Sequence, residues 1–271
     1  MIMTQSSGKR RASFPWKDGR APHVPCGPGD VAASVLLPGD PERVGIAAAL
    51  LEEVRDFGRR REFRAATGRF ERTSVTLCST GIGGPSAEIA LVELAYLGAR
   101  RAIRIGGMGA ITEELPLGSL LIVAEACGGT GAARAYGADG AFVQADGKVV
   151  AALSEAARRL GIPYKVGRVY TTDSYYLGQG RAFRAEDSDA RTSEAALLAR
   201  LKALGVHGMD MESETILSVG RRLGIKTSAL LAVHGNRVLD TWLEDYEPAQ
   251  RDVVRAAAAA MALLDGEDTG I

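Results

Sequence analysis

A chain of 271 residues is long enough for one large α/β domain or two small ones, with a substantial buried core. Its 33 Lys and Arg balance 33 Asp and Glu, with 46% apolar and 24% charged residues. That balance argues against a general nucleic-acid or anionic-membrane surface, while leaving room for a local basic pocket. The separated cysteines Cys26, Cys78 and Cys127 form no CxxC pair, which suits a reducing cytoplasm. His23, His207 and His234 are too scattered for a structural zinc site, and no apolar run reaches the length of a membrane span.

The first twenty residues carry Lys9, Arg10, Arg11, Lys17 and Arg20 against the single acid Asp18. The composition is that of a transit peptide, but without a clear apolar face it reads as a disordered basic leader (1–20) before one folded domain (21–271). From residue 34 onward, strand-like and helix-like stretches alternate. Short apolar runs at 34–37, 74–78, 101–105, 119–126, 165–170 and 226–233 read as strands covered on both faces. Helical patterns fall at 41–51, 85–97, 149–160, 194–204, 213–223 and 248–264. The alternation predicts an α/β fold with a parallel or mixed sheet wrapped by helices, and the Gly- and Ala-rich stretch 128–147 reads as a long loop.

The end of the first strand is the most informative point. After Val35-Leu36-Leu37-Pro38-Gly39, Asp40 stands at a helix N-cap and Pro41 at the first helical position. Such a turn aims free backbone N–H groups and a helix dipole at one spot, where an anion can bind, and Arg43 can reach back as a phosphate fork. The same residues would also make an ordinary strand–turn–helix corner. Other expected strand ends carry comparable loops: 79–86 with Pro85 opening a helix, Gly106-Gly107-Met108-Gly109, and Thr171-Thr172-Asp173-Ser174. Ligands of α/β sheets collect at this end of the strands, so these loops together point to one site.

Taken together, Pro22-His23, Gly29-Asp30, Leu37-Pro38-Gly39-Asp40-Pro41, Arg61-Glu62-Phe63, the loop 79–86, Arg104-Ile105-Gly106, Gln179-Gly180-Arg181, Met211-Glu212-Ser213 and Asn236-Arg237 form a specific pattern. In these motifs the chain resembles the hexameric nucleoside phosphorylase family, and within it the uridine-type branch. The resemblance implies a distorted barrel within a mixed sheet, and phosphorolysis of a ribonucleoside to free base and ribose 1-phosphate. Inorganic phosphate would be the co-substrate, with no organic cofactor. It implies a homohexamer built as a trimer of dimers, cytoplasmic, with nucleoside and phosphate as its small-molecule partners.

The roles carried over are these. Phosphate would be held by Gly39, Arg43, Arg104 and Gly107, with Arg61 serving the neighbouring subunit's site. Ribose would meet Glu212, Met211 and, across a subunit boundary, His23. The uracil edge would meet Gln179 and Arg181, with Tyr175 or Tyr176 stacking on it. Arg104, Glu212, Gln179 and Arg181 would carry catalysis, and Glu62, Ile82 and Ser86 would map to a monovalent-cation (K+) site. Glutamine offers donor and acceptor, arginine only donors, which together suit O4, N3–H and O2 of a pyrimidine. An arginine near the end of a buried strand is costly unless paired, so an anionic ligand also explains Arg104.

Two positions depart from the family pattern. Gly107, after Arg104-Ile105-Gly106, stands where relatives usually carry Thr or Ser, and Asp210 where they often carry Glu. Purine-directed relatives carry an aspartate after the penultimate strand; Val233-His234-Gly235-Asn236-Arg237 has none. A purine phosphorylase, a nucleosidase-type relative and a nucleoside-binding homologue without turnover are the alternatives. Asp210 and Glu212 would equally well cap the helix expected after them.

Overall fold

The apolar runs become the interior of a sheet whose two faces are both covered. The computed structural model describes residues 10–184 and 188–269. Strand β1 (Ser34–Pro38) is buried throughout and pairs in parallel with β4 (Thr73–Cys78) and β5 (Arg101–Ala110). Beyond β5 the sheet closes on itself. β5 pairs with β10 (Lys226–Asn236), β10 with β6 (Leu120–Cys127), β6 with β8 (Tyr164–Thr171), β8 with β9 (Val206–Asp210), and β9 returns to β5. The result is a five-strand mixed barrel within a larger sheet, the distorted barrel expected. On the far side, β3 (Phe63–Phe70) and β2 (Glu52–Arg60) continue from β4 in antiparallel order.

Helices pack on either side. α1 (Pro41–Ala48), α4 (Gly147–Arg159) and α7 (Glu247–Thr269) contribute Val44, Leu153 and Met261 to one core with Leu36, Ile103 and Leu230. α2 (Gly84–Tyr96) and α6 (Ser213–Leu223) add Leu91 and Ile216 to another with Val35 and Leu37. Along β10, Leu230 and Ala232 face the first core while Ala229, Leu231 and Val233 face a third. A strand buried on both faces reads as a continuous apolar run, as Ala229–Val233 does here.

Several elements differ from the sequence expectation. β5 runs on through Gly106–Gly109 to Ala110, because those residues pair with β10 while Gly109 and Ala110 also pair with β9 and close the barrel. The stretch 128–147 holds α3 (Gly131–Ala135) and β7 (Val143–Gln144), elements too short for periodicity to reveal. The hairpin β2–β3 and the strand β9 lack the apolar signature, β2 being exposed over nearly its whole length. α5 (Ser188–Ala203) begins earlier than residue 194, and α1 stops at Ala48 because Glu52 already starts β2.

The expected leader falls partly within the described residues. Residues 1–9 lie outside them, while Trp16 packs on Tyr96 of α2 with ring centroids 4.0 Å apart. Among the described residues no helix is long and apolar enough to cross a membrane.

Candidate active site

The corner after β1 folds as its residues require. Asp40 caps α1, its side chain accepting from Glu42 N–H at 2.8 Å, and Pro41 takes the first helical position. The loop after β4 is tied to it. Thr80 N–H donates to Pro38 O at 2.9 Å and Gly81 N–H to Gly39 O at 2.8 Å. A cavity of about 830 Å³ opens here. Gly39, Arg43, Arg104 and Gly107 line it, so the expected phosphate ligands converge except for Arg61. Met211 and Glu212 line the same cavity, as do Tyr175, Gln179 and Arg181. Three binding sets chosen from separate parts of the chain thus share one space.

Arg104 is the hub. Its Nε donates to Asp210 Oδ2 at 3.0 Å, and its Nη2 lies 2.5 Å from Glu212 Oε2, all three side chains being buried. Burial works against the Arg104 charge, but Glu212 and Asp210 more than offset it and raise its pKa. Burial pushes Glu212 above the usual carboxylate range and Asp210 adds to this, with Arg104 pulling it down. A Cβ at Gly106 would stand 3.0 Å from the Arg104 guanidinium, so the glycine leaves room for the fork. Of the two acids considered as caps, Asp210 takes that role: Ser213 N–H and Oγ–H donate to Oδ2 at 3.0 and 2.7 Å. Thr171 Oγ1–H donates to the other oxygen at 2.8 Å. Glu212 Oε1 instead accepts from Gly83 N–H at 2.6 Å. Glu212 is thus held at the cavity wall by a backbone donor and a guanidinium, with lone pairs left for a ligand hydroxyl.

Gln179 and Arg181 sit on a tight turn whose 3-10 segment is Leu177–Gln179, with Gly180 at φ 63°. Arg237, from the end of β10, holds that turn through Gln179 O at 3.0 Å and Gly180 O at 3.4 Å, and pairs with Glu194. The Arg181 guanidinium lies 4.1 Å from the Tyr175 ring centroid, and its Nε is buried without a hydrogen-bond partner. Burial and Arg237 lower the Arg181 pKa, with Tyr175 and Glu194 opposing. This desolvated cation is short of counter-charge. Asn236 has a structural task, its amide donating to Thr112 O at 2.9 Å and Leu115 O at 3.1 Å.

Three expected residues lie elsewhere. Arg61 stands at φ 54° in the turn between β2 and β3, outside the cavity, while its neighbour Arg59 lines it. His23 also lies outside, its Nδ1 2.6 Å from Glu93 Oε1, an arrangement that fixes the ring and leaves Nε2 free of that contact. Ser86 Oγ–H donates to Glu62 Oε1 at 3.0 Å; Glu62 and Ile82 line the cavity, and Ser86 stands behind them. Among the described residues no His/Cys/Asp/Glu cluster could hold a metal ion.

The residue reading missed Trp242, Met108 and His234, all of which line the cavity. Trp242 belongs to β11 (Thr241–Trp242), a strand too short to foresee. His234 had a signal: it is a polar interruption at the end of an otherwise apolar strand run.

The family model described as the phosphorylase superfamily matches residues 34–265. A uridine phosphorylase of Thermococcus kodakarensis is 36% identical over 248 residues, covering 92% of this chain and 88% of that protein. A uridine phosphorylase of Salmonella typhimurium is 34% identical, covering 76% and 81%. Among solved structures, a purine nucleoside phosphorylase from Toxoplasma gondii in complex with immucillin-H superposes with a TM-score of 0.80 at 27% identity, over 93% of this chain and 99% of that one.

Proposed function

The chain belongs to the phosphorylase superfamily as a pentosyltransferase of the nucleoside phosphorylase type, and we propose that its substrate is a pyrimidine ribonucleoside, uridine first. The observation that carries the reading is the sharing of one cavity by Gln179 and Arg181 with the Arg104–Glu212 pair. A phosphate oxygen attacks C1′ as the glycosidic bond breaks, and the bonding pair leaves with the base. Gln179 and Arg181 donate to the oxygens over which that charge spreads. Arg43, Arg104 and the backbone at Gly39 hold the phosphate, and Glu212 accepts from the ribose hydroxyls. No covalent nucleophile is needed; positioning and electrostatics supply the rate.

The relatives include purine enzymes, but a purine reading lacks an acid. Val233–Arg237 holds none, Asn236 is spent on carbonyls, and Arg237 on the base turn. With phosphate present, uridine should be cleaved far faster than inosine; the opposite order, measured by base release, would move the substrate to the purine side.

Glu212 makes nucleoside binding pH-dependent. A carboxylate accepts from hydroxyls with both oxygens only while ionised, and burial holds this one above the ordinary range. Uridine affinity should therefore fall as pH drops through that raised value and recover above it. Equilibrium binding without phosphate, from about pH 4 to about pH 8, checks this. Glu212→Gln should bind weakly and without that slope, and a flat wild-type profile would remove Glu212 from the ribose site.

The assembly belongs to the same reading: a cytoplasmic homohexamer, a trimer of dimers, with His23 and Arg61 completing a neighbour's site. Support comes from their position outside their own cavity and from β2, exposed along nearly its whole length and unpaired on its outer edge among the described residues. Cys26, Cys78 and Cys127 are free and buried, in keeping with a reducing compartment. A K+ ion near Glu62, Ile82 and Ser86 would use the Glu62 and Ser86 oxygens, hard donors of the right class.

A further inference from the structure

The wall beside Arg104 has no side chain at Gly107, yet the space is filled. A Cβ on Gly107 would lie 2.3 Å from His234 Nδ1 and 2.4 Å from Cε1. The backbone puts the ring there. β10 keeps register with β5 from Lys226 to Val233, then shifts between Val233 and Gly235, so His234 is the extra residue of a bulge. Bulges re-aim a side chain.

The ring is also fixed at its far end. Gln250 on α7 places its amide nitrogen 2.7 Å from His234 Nε2. With the amide nitrogen turned toward the ring it donates and Nε2 accepts, the tautomer that carries the ring proton on Nδ1, the ring atom nearest the Gly107 gap. Tyr246 lies against the imidazole at 5.5 Å and carries the Arg43 guanidinium at 5.4 Å on its own ring. Arg43 Nε is buried with no partner. Burial and Arg43 push the His234 pKa down to about 4, so the ring is neutral at neutral pH.

Resting on the phosphorolysis reading above, we infer that His234 is a phosphate ligand of this enzyme. Its Nδ1–H donates to the anion held by Arg43 and Arg104, in the space a side chain at position 107 would otherwise take. Gln250 is its positioning residue. Glycine at 107 and histidine at 234 form one unit: the ring needs the missing Cβ, and the gap needs the ring.

The test is calorimetric binding of inorganic phosphate to the full chain. His234→Phe keeps the bulk and loses the donor, and should weaken phosphate about tenfold or more, the worth of one hydrogen bond to a charged ligand. Gly107→Ser alone collides with the ring and should also bind poorly. Combined with His234→Ala, which removes the collision, it regains a hydroxyl donor and should return to within about threefold of wild type, whereas the loss in His234→Phe, where the bulk is kept, is the result that a mere space-filler would not give. Wild-type phosphate affinity in His234→Phe, or no recovery in the double variant, overturns the inference and leaves phosphorolysis standing. A wild-type chain that neither binds phosphate nor uses it overturns both.

Discussion

Arg104→Met is expected to cut turnover at least about a thousandfold and to destabilise the fold, because it removes the one cation shared by two buried carboxylates. Asp210 would keep three donors, from Ser213 N–H, Ser213 Oγ–H and Thr171 Oγ1–H. Glu212 would keep the Gly83 N–H but lose its counter-charge. Stripping one partner from a buried pair costs about 3–5 kcal/mol. Part of this should return at low pH, where Glu212 can protonate, and in Arg104→Met combined with Glu212→Gln. Denaturant unfolding and steady-state rates check both halves. Near-normal turnover in Arg104→Met would remove Arg104 from the phosphate site. Unchanged stability would mean that the pair holds nothing together.

The second large effect is at the base. Gln179→Ala with Arg181→Ala should lower kcat/KM for uridine by about a thousandfold or more, since the proposed reading has both side chains donate to the leaving base. The cost in stability should be small. The turn is held through its backbone carbonyls by Arg237, not through either side chain. Arg181 itself is a partly desolvated cation whose Nε has no hydrogen-bond partner, so its removal breaks no hydrogen bond at that atom. Unfolding curves close to wild type, beside collapsed uridine turnover, are the expected pair of results. Unchanged turnover would place the base elsewhere in the cavity.

Residue patterns reached much of this in advance, for identifiable reasons. The Asp40–Pro41 cap and the apolar runs of β1, β4, β6 and β10 are local features, written in adjacent residues. Arg104 could be suspected because a charge in a buried strand demands a partner; its partners Asp210 and Glu212 lie over a hundred residues away and are brought in by barrel closure. Closure was hidden from the local residue patterns, although the family resemblance implied a barrel. It depends on a glycine run that reads as a loop but pairs as a strand, and on β9, a five-residue strand in which His207 and Gly208 break the apolar run. His234 escaped for the same reason. Its role exists only because a bulge in β10 turns it toward a side chain that Gly107 does not have. A missing hydroxyl in one strand was visible in the sequence; the imidazole that fills its space from the next strand was not.

The most direct measurement of the whole assignment is uridine cleavage with and without inorganic phosphate, following uracil and the sugar product together. Uracil release that needs phosphate and is matched by an equal amount of ribose 1-phosphate is the expected result. Release that continues without phosphate and yields free ribose, or no release at all from a folded protein that binds uridine, would contradict it.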